Sequence, residues 1–471
     1  MLRHLERQTA LTGNQRRIVA AAALGDMLEY FDYYLIGYVI TFIAGPWQLT
    51  FGNIATILLS SGIGAMLGPL YYGWLADRIG RRKVFIITVL NAAFATGLMA
   101  LTPEGDWLYL SILRFVAGFG VGGLYCVDLP LVQEFVPSSK RGVVGGLVTS
   151  TIPIGLVLAS VLASTVAPYV GWRGLFVIGL VPALVVFLIR IWVPESPRWL
   201  LRMGRNEEAR QSLAWALEVD PASLPLTAEI EPKPQARLRE LPRYPRSLAV
   251  SWLANLGAQT GSYGLKLWLP TVTMLVLGIA PEQAAFLLIW VNLAGFAGRL
   301  GFSYLSDVIG RRISVAIYGF GSATFVVGAA LSQDLVVGTV SLFWLLLITG
   351  EVFVDGGWAI IGPYSAEVWP AHIRTTGMGS AYAFGGLGKI IGPGVLALIV
   401  GSSNVITPEA SLDALVPAFV FLGCCWVSVS LLFLGFAKET KGRSLEAIEA
   451  DLERSVATKP SRATGSSFSL E

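Results

Sequence analysis

The chain has 471 residues, of which 54% are hydrophobic and 14% charged, with a net charge of +3. A soluble domain carries about 25% charged residues, so this composition excludes a water-soluble globular protein, and the small positive balance gives no reason to invoke nucleic acid. Three cysteines, Cys126, Cys424 and Cys425, fall in apolar runs and are expected as small core residues, while two histidines, His4 and His372, give no reason to expect a metal or cofactor site.

Residues 1–17 are polar and amphipathic, with no small-residue cleavage site after them, so no cleavable signal is expected. Twelve apolar runs follow, each of the length that crosses a bilayer core of about 30 Å as a helix. They lie near residues 18–43, 54–76, 84–102, 107–130, 143–168, 172–193, 247–277, 282–304, 313–331, 335–365, 375–400 and 413–436. Between the sixth and seventh, nine Lys/Arg, eight Asp/Glu and several prolines predict a linker with short helices, one around Asn206–Val219. The expected organisation is a six-helix bundle over 1–193, the linker over 194–246, a second six-helix bundle over 247–437 and a tail over 438–471. A short amphipathic segment spans Leu445–Arg454, and the Ser/Thr-rich sequence beyond it is expected to be disordered.

Basic residues set the expected orientation. Arg16 and Arg17 precede the first run, and the even-numbered loops hold Arg78, Arg81, Arg82, Lys83, Lys140, Arg141, Arg311, Arg312 and Arg374, against Arg173 alone in the odd-numbered loops. The positive-inside rule then puts both termini and the linker in the cytoplasm.

Two phrases occur twice. GPLYYGWLADRIGRRK at 68–83 is echoed by GRLGFSYLSDVIGRR at 298–312, so that Gly68 corresponds to Gly298, Asp77 to Asp307, and Arg81-Arg82 to Arg311-Arg312. Each is followed by E-x2-P-x3-R: Glu134, Pro137 and Arg141, then Glu367, Pro370 and Arg374. Two phrases repeated in the same order mean an internally duplicated chain. The acids are expected to sit against helix N-termini, and the arginines to pair with Glu134 and Glu195, and with Glu367 and Glu439, across the seam between bundles as a cytoplasmic gate. The plainer alternative makes the arginines topology anchors alone.

These phrases resemble the signature of the major facilitator superfamily, and the resemblance covers nearly the whole chain. RFVAGFGVG from Arg114, PESPRWL from Pro194 and ETKGR from Glu439 resemble its branch of sugar porters and metabolite–proton symporters. GDMLEYFDYYLIG at 25–37 is similar to the first helix of carboxylate, betaine and aromatic-acid symporters. The resemblance implies an all-α membrane protein of twelve helices in two pseudo-symmetric bundles, rocking around a site near the bilayer midplane. It implies a monomer in a bacterial inner membrane, with small-molecule substrate and protons as its partners and no cofactor. Asp32 and Arg114 match positions that form a proton-coupling pair in related symporters. In aromatic-acid relatives an Arg stands where this chain has Gly386, and Lys389 lies three residues on, so the cation is displaced by about one turn.

Ionisable residues at membrane depth are costly and usually functional. Asp32 lies about 22 Å along a helix from Arg17, and losing a guanidinium partner in a dry intermediate favours its protonated form. Glu29 is the second proton candidate; Asp26 and Asp128 are further interior acids without an assigned role. Glu351 and Asp355 are one turn apart in the tenth run, where two carboxylates do not both ionise readily and are expected to share a proton or to neutralise a lysine. Lys266 and Lys389 suit a carboxylate substrate, with pairing to Asp355 and Glu351 as the alternative. Tyr33 and Tyr263 adjoin these charges, and Gln259, Asn292 and Trp358 complete the expected pocket; Tyr30, Tyr34, Trp268, Trp290 and Tyr364 are further aromatic candidates.

The expected function is proton-coupled uptake of a small organic anion, with sugar–proton or betaine-like symport as alternatives and a passive facilitator or sensor as a different class. No nucleophile–base pair or nucleotide loop supports an enzyme.

Overall fold

The computed structural model describes residues 2–137, 140–191, 193–225, 238–370, 373–405, 408–443 and 445–457. Its long helices group into twelve spans. The first six are Gly13–Ile43, Phe51–Ile79, Arg81–Met99, Trp107–Phe135, the broken pair Arg141–Ser150 with Ile152–Thr165, and Ala167–Ile191. The second six are Pro245–Leu277, Pro281–Ile309, Arg311–Leu331, Leu342–Gly356 with Trp358–Glu367, Arg374–Gly385 with Gly388–Val400, and Pro408–Phe436. Spans two, three, five and eight to twelve are each long and apolar enough to cross a membrane. Polar caps start the early ones. Thr12 and Gln15 bond each other's backbone amides at the start of span one, and Thr50 and Asn53 do the same for span two, satisfying amides that the first helical turn leaves open.

The breaks in spans five, ten and eleven have local causes. Pro153 has no amide to return to the Thr149 carbonyl, so span five bends at Thr151. In span ten a Cβ on Gly356 would stand 2.4 Å from the Phe302 ring, and one on Gly357 would stand 2.3 Å from Tyr318. Only glycine lets spans eight and nine approach the break that closely. A two-stranded hairpin, Val336–Val337 with Val340–Ser341, occupies the start of the run expected as helix from 335. Gly338 takes φ +64° there, which permits the tight turn and delays span ten to Leu342.

Spans one and seven, two and eleven, and five and eight pack across the seam between bundles. At the end opposite the arginine phrases the seam is closed by backbone. Thr50 bridges Val405, the Phe51 amide donates to the Asn404 carbonyl at 3.0 Å, and the Gly52 amide donates to that of Ser402 at 2.9 Å.

The segment after span six folds onto the basic end of the first bundle. Helices Pro197–Arg202 and Asn206–Leu217 bury Trp199, Leu200 and Leu213 with Leu5, and the Glu218 carboxylate accepts from the Asn14 amide at 2.8 Å. After span twelve, helix Leu445–Ala457 lays Ile448 and Leu452 beside Val250 and Tyr364 of the second bundle.

Candidate functional site

Three groups of polar residues lie where the bundles meet. The first belongs to spans one to four. Arg114, 1% exposed, stands 3.6 Å from the Asp32 carboxylate and donates to the Asp32 carbonyl at 3.3 Å, the Tyr33 carbonyl at 3.1 Å and Ser61 Oγ at 3.2 Å. Thr96 Oγ1 donates to Asp32 Oδ1 at 3.0 Å. One guanidinium thus ties span four to the backbone of span one and to span two, and leaves the carboxylate held by one ion pair and one hydroxyl.

The second group is aromatic. Lys389 Nζ lies 4.8 Å from the ring centre of Tyr263, 5.4 Å from Tyr382 and 5.6 Å from Tyr33, within the range of cation–π attraction. Tyr34 stacks on Tyr263 at 5.7 Å, and the Tyr30 and Tyr382 hydroxyls meet at 3.2 Å across the seam. Spans one, seven and eleven therefore set three tyrosine rings around one ammonium, with Tyr34 and Tyr30 backing two of them.

The third group lies within the second bundle. Lys266 Nζ is 2.6 Å from Glu351 Oε1 and 2.9 Å from Asp355 Oδ2, all three side chains being buried. Gly295 of span eight backs onto the acids: a Cβ there would stand 2.6 Å from Asp355 Oδ2. Both acids pair with Lys266, so the anion-anchoring role expected for that lysine is corrected. Its charge is matched twice, while Lys389 faces the aromatic cage.

The other expected pocket residues are spread out. Asn292 is committed to the seam, donating to Ser160 Oγ at 3.0 Å, Tyr38 Oη at 3.3 Å and the Leu156 carbonyl at 3.4 Å. Gln259 donates to the Tyr382 carbonyl at 3.3 Å and supports the break in span eleven, and Trp358 donates to Ser262 Oγ at 3.3 Å. Trp290 is half exposed on the outside of its helix. Asp26 is buried in span one. The side chains of Glu29, Asp128, Arg141 and Cys126, with residue His372, lie outside the described residues. Tyr382 and Thr96 escaped the sequence reading. Tyr382 is seven residues before Lys389, two turns along the same face, which is a readable signal; Thr96 sits in an ordinary apolar helix and offers none.

At the basic end the two phrases fold alike. The Glu195 carboxylate accepts from the Arg81 amide at 2.9 Å and the Arg82 amide at 3.1 Å, and Glu439 accepts from the Arg311 amide at 2.9 Å and the Arg312 amide at 3.1 Å. Arg81 pairs with Glu134 at 3.2 Å and Arg311 with Glu367 at 3.4 Å. Ser196 bonds Glu134, as Thr440 bonds Glu367. Every one of these contacts stays inside its own bundle, which corrects the expectation that they cross the seam. The helix N-termini are held by Glu195 and Glu439 and not by the aspartates, because Gly80 and Gly310, at φ +105° and +96°, turn the chain so that the next amides face those glutamates. Asp307 instead pairs with Arg311 at 2.5 Å, Asp77 is exposed, and Arg374 is half-buried at the head of span eleven. Burial works against the charge on Glu439, but donation from the Lys441, Arg311, Arg312 and Thr440 amides outweighs it and holds its carboxyl below the usual range. One contact does cross near the basic end: Arg299 Nη1 donates to the Thr149 carbonyl at 2.9 Å, the group that Pro153 leaves without its helical donor.

Two six-helix bundles enclosing ionised groups at their seam define a multi-pass membrane transporter of the major facilitator fold, not an enzyme. The chain belongs to the sugar (and other) transporter family, whose family model matches residues 18–452. It is 30% identical over 432 residues to the niacin transporter NiaP of Acinetobacter baylyi, covering 90% of this chain and 94% of that protein. The cis,cis-muconate transport protein of the same organism is 26% identical, covering 82% of this chain and 87% of the relative. Among solved structures, the xylose transporter XylE from E. coli in a partially occluded inward open conformation superposes with a TM-score of 0.70 at 18% identity, over 92% of this chain and 100% of that one.

Proposed function

We propose that the chain is a proton-coupled symporter that carries a planar aromatic monocarboxylate by alternating access. One observation carries the reading: the Lys389 ammonium set against the rings of Tyr33, Tyr263 and Tyr382 at the seam. An ammonium recognises a carboxylate, and flat tyrosine faces recognise a flat ring. Niacin, named for one relative, has this chemistry; muconate, named for another, is a planar diacid. Asp32 is the proton carrier of the first bundle. It is paired while the Arg114 contact stands and takes a proton when rocking of the bundles weakens that contact. The basic end faces the cytoplasm by the positive-inside rule, in a bacterial inner membrane, and the protein works as a monomer.

The test is uptake of labelled nicotinate, benzoate and xylose into proteoliposomes under an imposed pH gradient. Nicotinate or benzoate uptake that Lys389→Ala reduces at least tenfold supports the reading. Xylose uptake with neither acid carried overturns it.

A further inference from the structure

The Lys266 cluster holds more acid than the ammonium can satisfy. Lys266 Nζ meets Glu351 Oε1 at 2.6 Å and Asp355 Oδ2 at 2.9 Å. Glu351 is 1% exposed, and its second oxygen, Oε2, meets no hydrogen-bond donor among the described residues. A charged oxygen buried without a donor is costly, and the neutral acid is far less so.

The surroundings do not relieve that oxygen. From span one Tyr34 and Tyr38, from span nine Tyr318 and from span eight Arg299 lie within electrostatic reach of one or other acid. Arg299 donates to the Thr149 carbonyl, Tyr38 accepts from Asn292, and neither stands within hydrogen-bond distance of Glu351 Oε2. Beside the acids span eight presents Gly295, whose missing side chain lets its backbone close over them.

We infer that Glu351 holds a proton in this state, making the cluster a second proton site, in the second bundle and separate from Asp32 in the first. Lys266 then faces one carboxylate and one neutral acid. Resting on the symport reading above, the consequence is stoichiometric. If Asp32 alone carried a proton, uptake of a monocarboxylate would move no net charge. With Glu351 also discharging into the cell, two protons accompany one anion, and each cycle moves one positive charge inward.

Infrared spectroscopy of the purified full chain in lipid at neutral pH reads the proton itself, without any substrate. A carboxylic C=O band that shifts in D2O, persists in Asp32→Asn and disappears in Glu351→Gln is the expected result. Asp355→Asn gives a second route should Glu351→Gln fail to fold. It leaves Glu351 as sole partner of Lys266, free to ionise, and is expected to lose the same band. No band in the parent chain, or one that survives in both variants, overturns the inference. A transport arm follows in proteoliposomes with nicotinate and an inside-negative potassium potential. The parent is expected to be accelerated by the potential and Glu351→Gln to lose that acceleration; acceleration kept in Glu351→Gln counts against the second site. Absence of nicotinate uptake in the parent overturns the functional reading instead, and the infrared band still decides the proton.

Discussion

The basic end and the middle of this molecule are built from the same duplicated halves and have diverged to different degrees. At the basic end Glu195 and Glu439 receive the same pair of arginine amides, and Glu134 and Glu367 receive the same arginine and hydroxyl, at distances that agree within a few tenths of an ångström. In the middle, among the described residues, Asp32 with Arg114 in the first bundle has no counterpart in the second, and Lys266 with its two acids has none in the first. In each copy one glutamate caps two successive backbone amides, which any sequence supplies at a helix start, and a second glutamate takes an arginine and a hydroxyl. The unlike ones turn on ion pairs between side chains, where one substitution changes the chemistry. A duplicated frame thus holds still while a seam between non-identical halves becomes selective.

The largest expected effect that tests this contrast is at Asp32. Asp32→Asn is expected to abolish accumulation of nicotinate against its gradient while exchange of labelled for unlabelled nicotinate continues. Equal loss of both would make the residue a structural partner of Arg114. Next is Lys266→Met, which strands the buried acids Glu351 and Asp355 and is expected to cost about 3–5 kcal/mol in thermal or denaturant unfolding. Adding Glu351→Gln is expected to recover part of that loss, and simple additivity of the two changes would sever the proposed link between them.

A smaller effect is expected at the crossing contact near the basic end. Arg299→Met removes the guanidinium donor from the Thr149 carbonyl, at a cost of about 1 kcal/mol. In a Pro153→Ala background, where an amide is available for that carbonyl, the same change is expected to cost markedly less. The smallest effects belong to the copied caps. Glu195→Gln and Glu439→Gln are each expected to lower stability by about 1 kcal/mol at neutral pH, and a large inequality would break the equivalence of the two ends. Because the Glu439 carboxyl is held below its usual range, its contribution is fully present above the ordinary carboxylate pKa. It is lost as pH falls through the lower folded value, so the Glu439→Gln difference is expected to shrink in acid.

Much of this was legible in the residues. Twelve apolar runs and a twice-used Asp-x2-Gly-Arg-Arg phrase imply two bundles, and carboxylates one turn apart in an apolar helix announce themselves as chemistry. Pairing was not legible. Whether Lys266 or Lys389 meets Glu351 depends on how spans seven, ten and eleven rotate about their axes, which periodicity constrains only loosely in helices apolar on most faces. The direction of the basic-end contacts was hidden for another reason: a positive φ at Gly80 and Gly310 re-aims the following amides, and a glycine in sequence does not state its φ. The late start of span ten was concealed because Val336, Val337 and Val340 suit a strand as readily as a helix.

The backbone seal at the end opposite the arginine phrases makes the chain its own clock. The Phe51 and Gly52 amides are held by carbonyls of the other bundle, and in the alternating-access cycle proposed above that end opens by releasing them. Each such opening exposes two specific N–H groups to solvent, so deuterium uptake at these neighbours reports openings of the seal. A transported acid together with a proton gradient should quicken that count, and a blocked cycle should slow it, while amides inside the spans keep their own pace.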